Sequence, residues 1–84
     1  MSYTHTFSKS AQKFIIKQTK QQQVRILSAL SNLPFAGDIA PLQGYAYHFR
    51  LRVGDFRIIY HVDHNSQIVH ILNIGNRGDV YKSN

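Results

Sequence analysis

The 84-residue sequence contains no cysteine and no glutamate. Without thiols the chain can form no disulfide scaffold, thiolate nucleophile, cysteine-ligated zinc site or iron–sulfur cluster. Because glutamate is missing, the acidic residues are four aspartates, which stand against ten lysines and arginines. The resulting net charge of +6 predicts an anionic partner, which can be a nucleic acid, an acidic membrane surface or an acidic protein.

Long apolar runs are also absent. No stretch approaches the roughly 18 residues needed to cross a bilayer, and the amino terminus has no apolar signal-peptide core. We therefore predict a cytoplasmic protein that has no membrane partner. A length of 84 residues allows one domain and the hydrophobic fraction of 43% supports a globular fold, so residues 1–84 are interpreted as a single domain.

The first half of the chain has a mainly helical pattern. Residues 2–7 are rich in β-branched and aromatic types and predict a short strand, after which Ser8 or Ser10 can cap a helix. A second helix is predicted from about Gln21 to Leu33, separated from the first near Thr19. The apolar residues assigned to the buried side of this second helix are Val24, Ile26, Leu27, Leu30 and Leu33.

The second half alternates between apolar and polar residues, as strands do. Three strands are predicted, over Tyr45–Val53, Phe56–Val62 and Gln67–Ile74, with Gly54 and Asp55 forming a two-residue turn. The predicted fold class is α+β: a single small domain in the order β-α-α-β-β-β, with two helices packed on a mainly antiparallel sheet.

The predicted turn fixes which side chains share a face of the sheet. Arg52 then lies opposite Arg57, and His48 lies opposite His61. One face carries His48, Arg50, Arg52, Arg57 and His61. The other face, under the helices, carries Tyr47, Phe49, Leu51, Phe56, Ile58 and Tyr60. Opposed like charges destabilise a sheet, so we interpret the basic face as functional, the alternative being a solvated surface.

Arginine dominates this half of the chain, and its planar guanidinium matches the oxygens of a phosphate. Arg77 follows the last strand and can reach over the sheet edge as a further phosphate ligand. Tyr81 is interpreted as a platform on which an unpaired base stacks, the alternative being a tail tyrosine folded onto the core.

Other chemistries are poorly represented in the sequence. His61, Asp63 and His64 lack the spacing of a metal site, and His5 and His70 are interpreted as structural. No metal and no cofactor is predicted. RNA cleavage by the substrate's own 2′-hydroxyl fits such a chain, because the protein then supplies only cations and proton transfer.

Three segments carry a family resemblance: Leu42–Gly44; Tyr47–Tyr60, which contains RLRVGDFRIIY; and Gly75–Tyr81, which contains RGDVY. They resemble the RelE/ParE superfamily of bacterial toxins, and the RelE mRNA interferase branch in particular. The resemblance implies a microbial-ribonuclease-like fold and cleavage of messenger RNA in the ribosomal A site. It also implies an acidic cognate antitoxin that wraps the toxin in a hetero-oligomer.

The resemblance also implies a set of site residues. Arg57 would bind and polarise the scissile phosphate, while Arg50 would position it. Arg77 would stabilise the leaving oxygen or donate a proton through a relay, and Tyr81 would stack on a base. Relatives commonly have lysine at the first two basic positions, whereas this chain has His48 and Arg50. Since histidine titrates near neutral pH and arginine does not, we hypothesise that His48 is the general base.

Two other functions stay open at this stage. A ParE-like inhibitor of DNA gyrase would have the same fold without RNA chemistry. Outside the enzymes, the chain would be a non-catalytic RNA-binding module or a degenerate toxin.

Overall fold

The computed structural model describes residues 3–76, which form two helices and one five-stranded sheet. The elements in chain order are β1 (Thr4–Phe7), α1 (Lys9–Ile16), α2 (Lys20–Leu30), β2 (Asp38–Pro41), β3 (His48–Val53), β4 (Phe56–Asp63) and β5 (Ile68–Asn76). The strands lie in the order β1-β5-β4-β3-β2, where only the β1–β5 pair is parallel. The expected α+β fold, with two helices on a mainly antiparallel sheet, is confirmed. Neither helix is long and apolar enough to cross a membrane.

The strand β2 was missing from the sequence prediction, so the predicted order was one strand short. Asp38 of β2 pairs with Arg52 of β3, and Pro41 pairs with Phe49. A four-residue segment that ends in proline gives a weak strand signal, because proline cannot donate a ladder hydrogen bond. It is tolerated here because β2 forms an edge of the sheet.

The two helices form the predicted hairpin, and each begins at a capping hydroxyl. The Ser8 side chain accepts a hydrogen bond from the amide three residues later, as Thr19 does from the amide of Gln22 at 3.2 Å. Between the helices, the side-chain amide of Gln23 donates to the carbonyl oxygen of Ile15 at 2.9 Å. These contacts satisfy backbone groups that the helix ends leave without partners.

The buried side of α2 was predicted only in part. Ile26, Leu30 and Leu33 are buried, as expected, whereas Val24 and Leu27 are exposed. Residues four and seven positions apart lie on the same face of a helix, whereas Val24 is about 200° around the helix from Ile26. A pattern of every third residue therefore selected two positions that face solvent.

The turn between β3 and β4 has the predicted form, and its register is confirmed. Val53 pairs with Phe56 and Arg52 pairs with Arg57. Gly54 has a φ of 58°, and a Cβ atom there would lie 2.5 Å from a guanidinium nitrogen of Arg25 on α2. Glycine is thus favoured at this turn for its backbone conformation, while the Arg25 guanidinium at the end of a flexible side chain could move away from a Cβ.

The sheet face under the helices forms the core with α1 and α2. Its fully buried members include Leu51, Ile58 and Tyr60, and the ring of Phe14 from α1 packs edge-on against Phe56. Tyr47 was wrongly assigned to this face, since β3 begins one residue later and the Tyr47 side chain is 60% exposed.

The strand β5 runs two residues beyond the predicted end at Ile74 and includes Gly75. Its pairing with β4 shifts by one residue, because Ile59 pairs with Asn73 whereas the next residue, Tyr60, pairs with Ile71. Leu72 is the extra residue of this bulge. The shift decides which β5 side chains join the open face of the sheet.

Candidate active site

The open face of the sheet, opposite the helices, carries four of the six predicted site residues: His48, Arg50, Arg52 and Arg57. We call the surface formed by His48, Arg50, Arg52, Arg57 and His61 the basic face. The register of β3 with β4 sets its geometry: Arg52 is opposite Arg57, Arg50 is opposite Ile59, and His48 is opposite His61. Arg77 and Tyr81, the remaining predicted site residues, lie outside the described residues.

Arg57 is the most deeply placed cation of this surface, with 3% of its area exposed. On β5 it faces Gly75, which has no side chain to fill the space over the neighbouring strand. A guanidinium keeps its charge at every physiological pH, and its electric field is screened less when water is excluded. Arg57 is therefore a fixed positive charge at one end of the basic face.

Arg50 lies at the centre of the basic face, two residues along β3 from His48 and two from Arg52. At about 3.3 Å per residue, each separation is about 7 Å along the strand. Arg50 Nη1 is buried and has no hydrogen-bond partner within residues 3–76. A buried charged donor without a partner costs free energy.

His48 is held in one tautomer by its backbone contact. Its Nδ1 atom is 2.8 Å from the carbonyl oxygen of Ala46. A carbonyl oxygen can only accept, so Nδ1 carries the hydrogen and donates it. In the neutral imidazole, Nε2 is then left with a free lone pair, which is what a general base requires.

Three histidines lie next to one another across the sheet: His48 on β3, His61 on β4 and His70 on β5. We call these three residues the histidine row. The ring centroids of His48 and His61 are 4.8 Å apart, and those of His61 and His70 are 5.7 Å apart. His70 Nδ1 in turn lies 2.7 Å from the hydroxyl oxygen of Thr6 on β1. This histidine row lines a cavity of about 460 Å³. The sequence interpretation treated His70 as structural and missed this placement.

The neighbours of His61 in the histidine row affect its protonation. Partial burial lowers the pKa of His61 below its ordinary value, the neighbouring His48 and His70 lower it further, and Asp63 opposes them. At neutral pH the central ring is therefore neutral. Asp63 itself has a lowered pKa, chiefly because the backbone amide of Ser66 donates a hydrogen bond to it, so it is ionised.

The described residues offer no metal site. Within residues 3–76, no three histidine or aspartate side chains are grouped so that they could hold a metal ion. The basic face combines fixed guanidinium charges, which suit phosphate oxygens, with an imidazole nitrogen, Nε2 of His48, that can accept a proton.

A family model described as the ParE toxin of type II toxin–antitoxin systems, parDE, matches residues 3–81. Among proteins of curated function, none matches the chain.

Solved toxin structures match the whole fold. The RelE–RelB complex of the archaeon Pyrococcus horikoshii aligns with a TM-score of 0.79 and 27% identity, over 93% of this chain and 98% of that one. The RelBE2 toxin–antitoxin complex of Mycobacterium tuberculosis gives 0.76 and 26%, over 92% and 100%. The isolated RelE toxin of Escherichia coli gives 0.76 at 19% identity, over 98% and 94%, which shows a shared fold.

Proposed function

The chain belongs to the RelE/ParE family of type II toxin–antitoxin toxins, and from that premise we propose that it is a ribosome-dependent endoribonuclease. It would cleave messenger RNA in the ribosomal A site and so arrest translation. The observation that carries this proposal is that His48, Arg50 and Arg57 lie on the same face of the β3–β4 hairpin, with Arg50 between the other two. A binding surface for RNA needs only positive charge, whereas this surface adds a histidine held in the tautomer of a base.

The proposed reaction needs no nucleophile from the protein. Nε2 of His48 accepts the proton of a ribose 2′-hydroxyl, whose oxygen then attacks the adjacent phosphorus. The bond to the 5′-oxygen breaks, which leaves a 2′,3′-cyclic phosphate and a 5′-hydroxyl after protonation of the leaving oxygen. Because the base and the cations are all supplied by side chains, the proposed enzyme is independent of metal ions.

The two arginines would stabilise the charge that develops on phosphorus oxygens. Arg57 would bind and polarise the scissile phosphate, and Arg50, which lies between Arg57 and His48 on the basic face, would position it. Cations fixed before the reaction need no reorganisation as charge develops, and one such donor typically contributes a factor of about 10²–10³ in rate. Arg52, exposed at the same face, would bind a flanking phosphate.

Two further roles rest on the family resemblance. Arg77 would stabilise or protonate the leaving 5′-oxygen, and Tyr81 would stack on a base of the bound messenger RNA. Both residues lie outside residues 3–76, so their roles are proposed from the RGDVY motif of the sequence.

We also propose an acidic antitoxin as the partner in a hetero-oligomer. The related toxins from P. horikoshii and M. tuberculosis were solved in complexes with antitoxins. A net charge of +6 on 84 residues favours an acidic partner, which would cover the cations and keep RNA away.

The test is cleavage of messenger RNA on translating ribosomes, mapped by primer extension. We expect His48→Gln to slow cleavage by about 10²–10⁴-fold, because the 2′-hydroxyl loses its proton acceptor. The control is Lys13→Gln, which removes a full positive charge from α1 and should change the rate less than about twofold. Equal rates for wild type and His48→Gln would remove His48 from the mechanism.

Inhibition of DNA gyrase is the second candidate, because the matching family model is that of the ParE toxin. Intact messenger RNA together with DNA-damage signalling would support that function. Neither phenotype would support a non-catalytic RNA-binding module or a degenerate toxin.

A further inference from the structure

Tyr47, the residue before His48, has an unusual backbone. Its φ is 59°, in the left-handed region that bulky side chains rarely adopt, and its side chain is 60% exposed. The conformation is held by a hydrogen bond from the amide of Val62 to the carbonyl oxygen of Tyr47, at 3.0 Å. A residue with a Cβ atom is strained there, yet the aromatic ring that Tyr47 presents is not used to build the core.

The ring of Tyr47 forms one wall of a cleft at the end of the basic face. The cleft has a volume of about 210 Å³ and is lined by Tyr47, His61, Val62, Asp63, His64 and Asn65. Aromatic, carboxylate and amide groups thus meet in one open concavity. Single-stranded RNA is recognised by this combination, because an unpaired base stacks on an aromatic ring while polar groups read its edge.

His64 lines the same cleft and packs edge-on against Tyr47, and its orientation is fixed before any ligand binds. The Tyr3 hydroxyl lies 2.8 Å from His64 Nδ1, and the Tyr3 ring packs edge-on against the His64 ring at 6.0 Å. The rings of Tyr47 and His64 are 6.0 Å apart between centroids, with an interplanar angle of 76°. A ligand that enters this cleft therefore meets aromatic groups that need little ordering.

The cleft is continuous with the proposed catalytic surface. His61 lines both this cleft and the cavity of the histidine row, and Tyr47 is covalently next to His48. A nucleotide whose 2′-hydroxyl lies at His48 would place a neighbouring base at this end of the face.

We propose that the cleft lined by Tyr47 and His64 is a binding site for one nucleobase of the RNA, in contact with the exposed part of the Tyr47 ring. This site deepens the proposed ribonuclease function and rests on it. The ionised carboxylate of Asp63 accepts hydrogen bonds only, so it would bind a donor group on the edge of the base.

The experiment measures binding of a short single-stranded RNA whose 2′-positions are all methylated, so that the 2′-hydroxyl cannot attack. Affinities are determined by fluorescence anisotropy for wild type, Tyr47→Phe and Tyr47→Ala. We expect Tyr47→Ala to weaken binding about 5- to 100-fold, and Tyr47→Phe to bind within about twofold of wild type, since the ring is retained. All variants keep the net charge, so the phosphate contribution is unchanged.

A matched control is Tyr45→Ala, which removes a tyrosine that is 66% exposed and does not line the cleft. It should bind within about twofold of wild type. An abasic nucleotide at the position bound by the cleft should weaken wild type and leave Tyr47→Ala unaffected, which assigns the lost affinity to that base.

The strained backbone adds a readout that does not depend on RNA. Tyr47→Gly should be more stable to unfolding than Tyr47→Ala, because glycine adopts the left-handed conformation without strain. Both variants should show the same loss of RNA affinity.

Three results would contradict the proposed nucleobase site: equal RNA affinity of Tyr47→Ala and wild type, a loss of affinity in Tyr45→Ala as large as that in Tyr47→Ala, or no binding of the methylated RNA by wild type. The first two results leave the ribonuclease proposal standing if wild type cleaves messenger RNA. Conversely, a wild type that cleaves no RNA but binds it through Tyr47 would contradict the ribonuclease proposal and retain the cleft.

Discussion

Positively charged side chains occur in two regions of the molecule, and the regions differ in how far these side chains are exposed to solvent. On the helical side, Lys9, Lys13, Lys17 and Lys20 are all exposed. On the basic face, by contrast, Arg57 is almost fully buried.

Charges that stay in water cost little and give solubility, so the lysines need no further explanation. Cations that are removed from water cost free energy unless they are paired or bind a ligand, so the basic face is a stronger candidate for a binding surface than the exposed lysines.

Between the two charged regions, the largest expected difference comes from replacing one arginine by lysine in each. Arg57→Lys keeps the charge but loses the planar fork, and should slow RNA cleavage by about 10²–10³-fold. Arg25→Lys makes the same substitution on α2 and should leave the rate within about twofold of wild type. Single-turnover cleavage on programmed ribosomes measures both, with thermal unfolding to show that each variant is folded. Equal losses in the two variants would mean that the basic face has no special role.

The second prediction separates the two sides of the sheet at neighbouring residues. Ile58 follows Arg57 on β4 but points into the core, where it is fully buried. Ile58→Ala should lower the free energy of unfolding by about 2–5 kcal/mol, because it leaves a cavity among packed side chains. Chemical denaturation measures the loss, and cleavage by the folded fraction should stay near the wild-type rate. A loss below about 1 kcal/mol would contradict the described core.

The smallest effect is a dependence of stability on pH. The folded chain lowers the pKa of His61, so the unfolded chain binds more protons as the pH falls through the ordinary value of 6.5. The free energy of unfolding should therefore decrease from pH 8 to pH 5.5, and His61→Gln should reduce that decrease. Denaturation at the two pH values measures it. Keeping the pH above 5 avoids the loss that follows protonation of Asp63, whose lowered pKa acts in a more acidic range. If the free energy of unfolding fell as much in His61→Gln as in wild type, His61 would not be the cause of the pH dependence.

The hairpin of β3 and β4 could be predicted almost completely from the sequence. Alternation gave its two faces and the two-residue turn at Gly54 and Asp55 set its register, so the pairing of His48 with His61 followed. Local patterns suffice when the contacts are between residues close in the chain.

Features that depend on distant partners were missed. The strand β2 is four residues long and is defined by its pairing with β3. The histidine row depends on the register of β5, which shifts at Leu72, so His70 could not be placed beside His61 from alternation alone. The backbone of Tyr47 carries no signal in its residue type, because tyrosine is typical of strands.

The central claim is that RNA binds the basic face, and one titration tests it most directly. Two-dimensional amide NMR spectra of the chain would be recorded as the 2′-methylated RNA is added. The account predicts that the amide signals of His48, Arg50 and Arg57 shift in proportion to bound RNA while those of α1 and α2 stay in place. Shifts confined to the lysine-bearing helices, with the basic face unchanged, would contradict it.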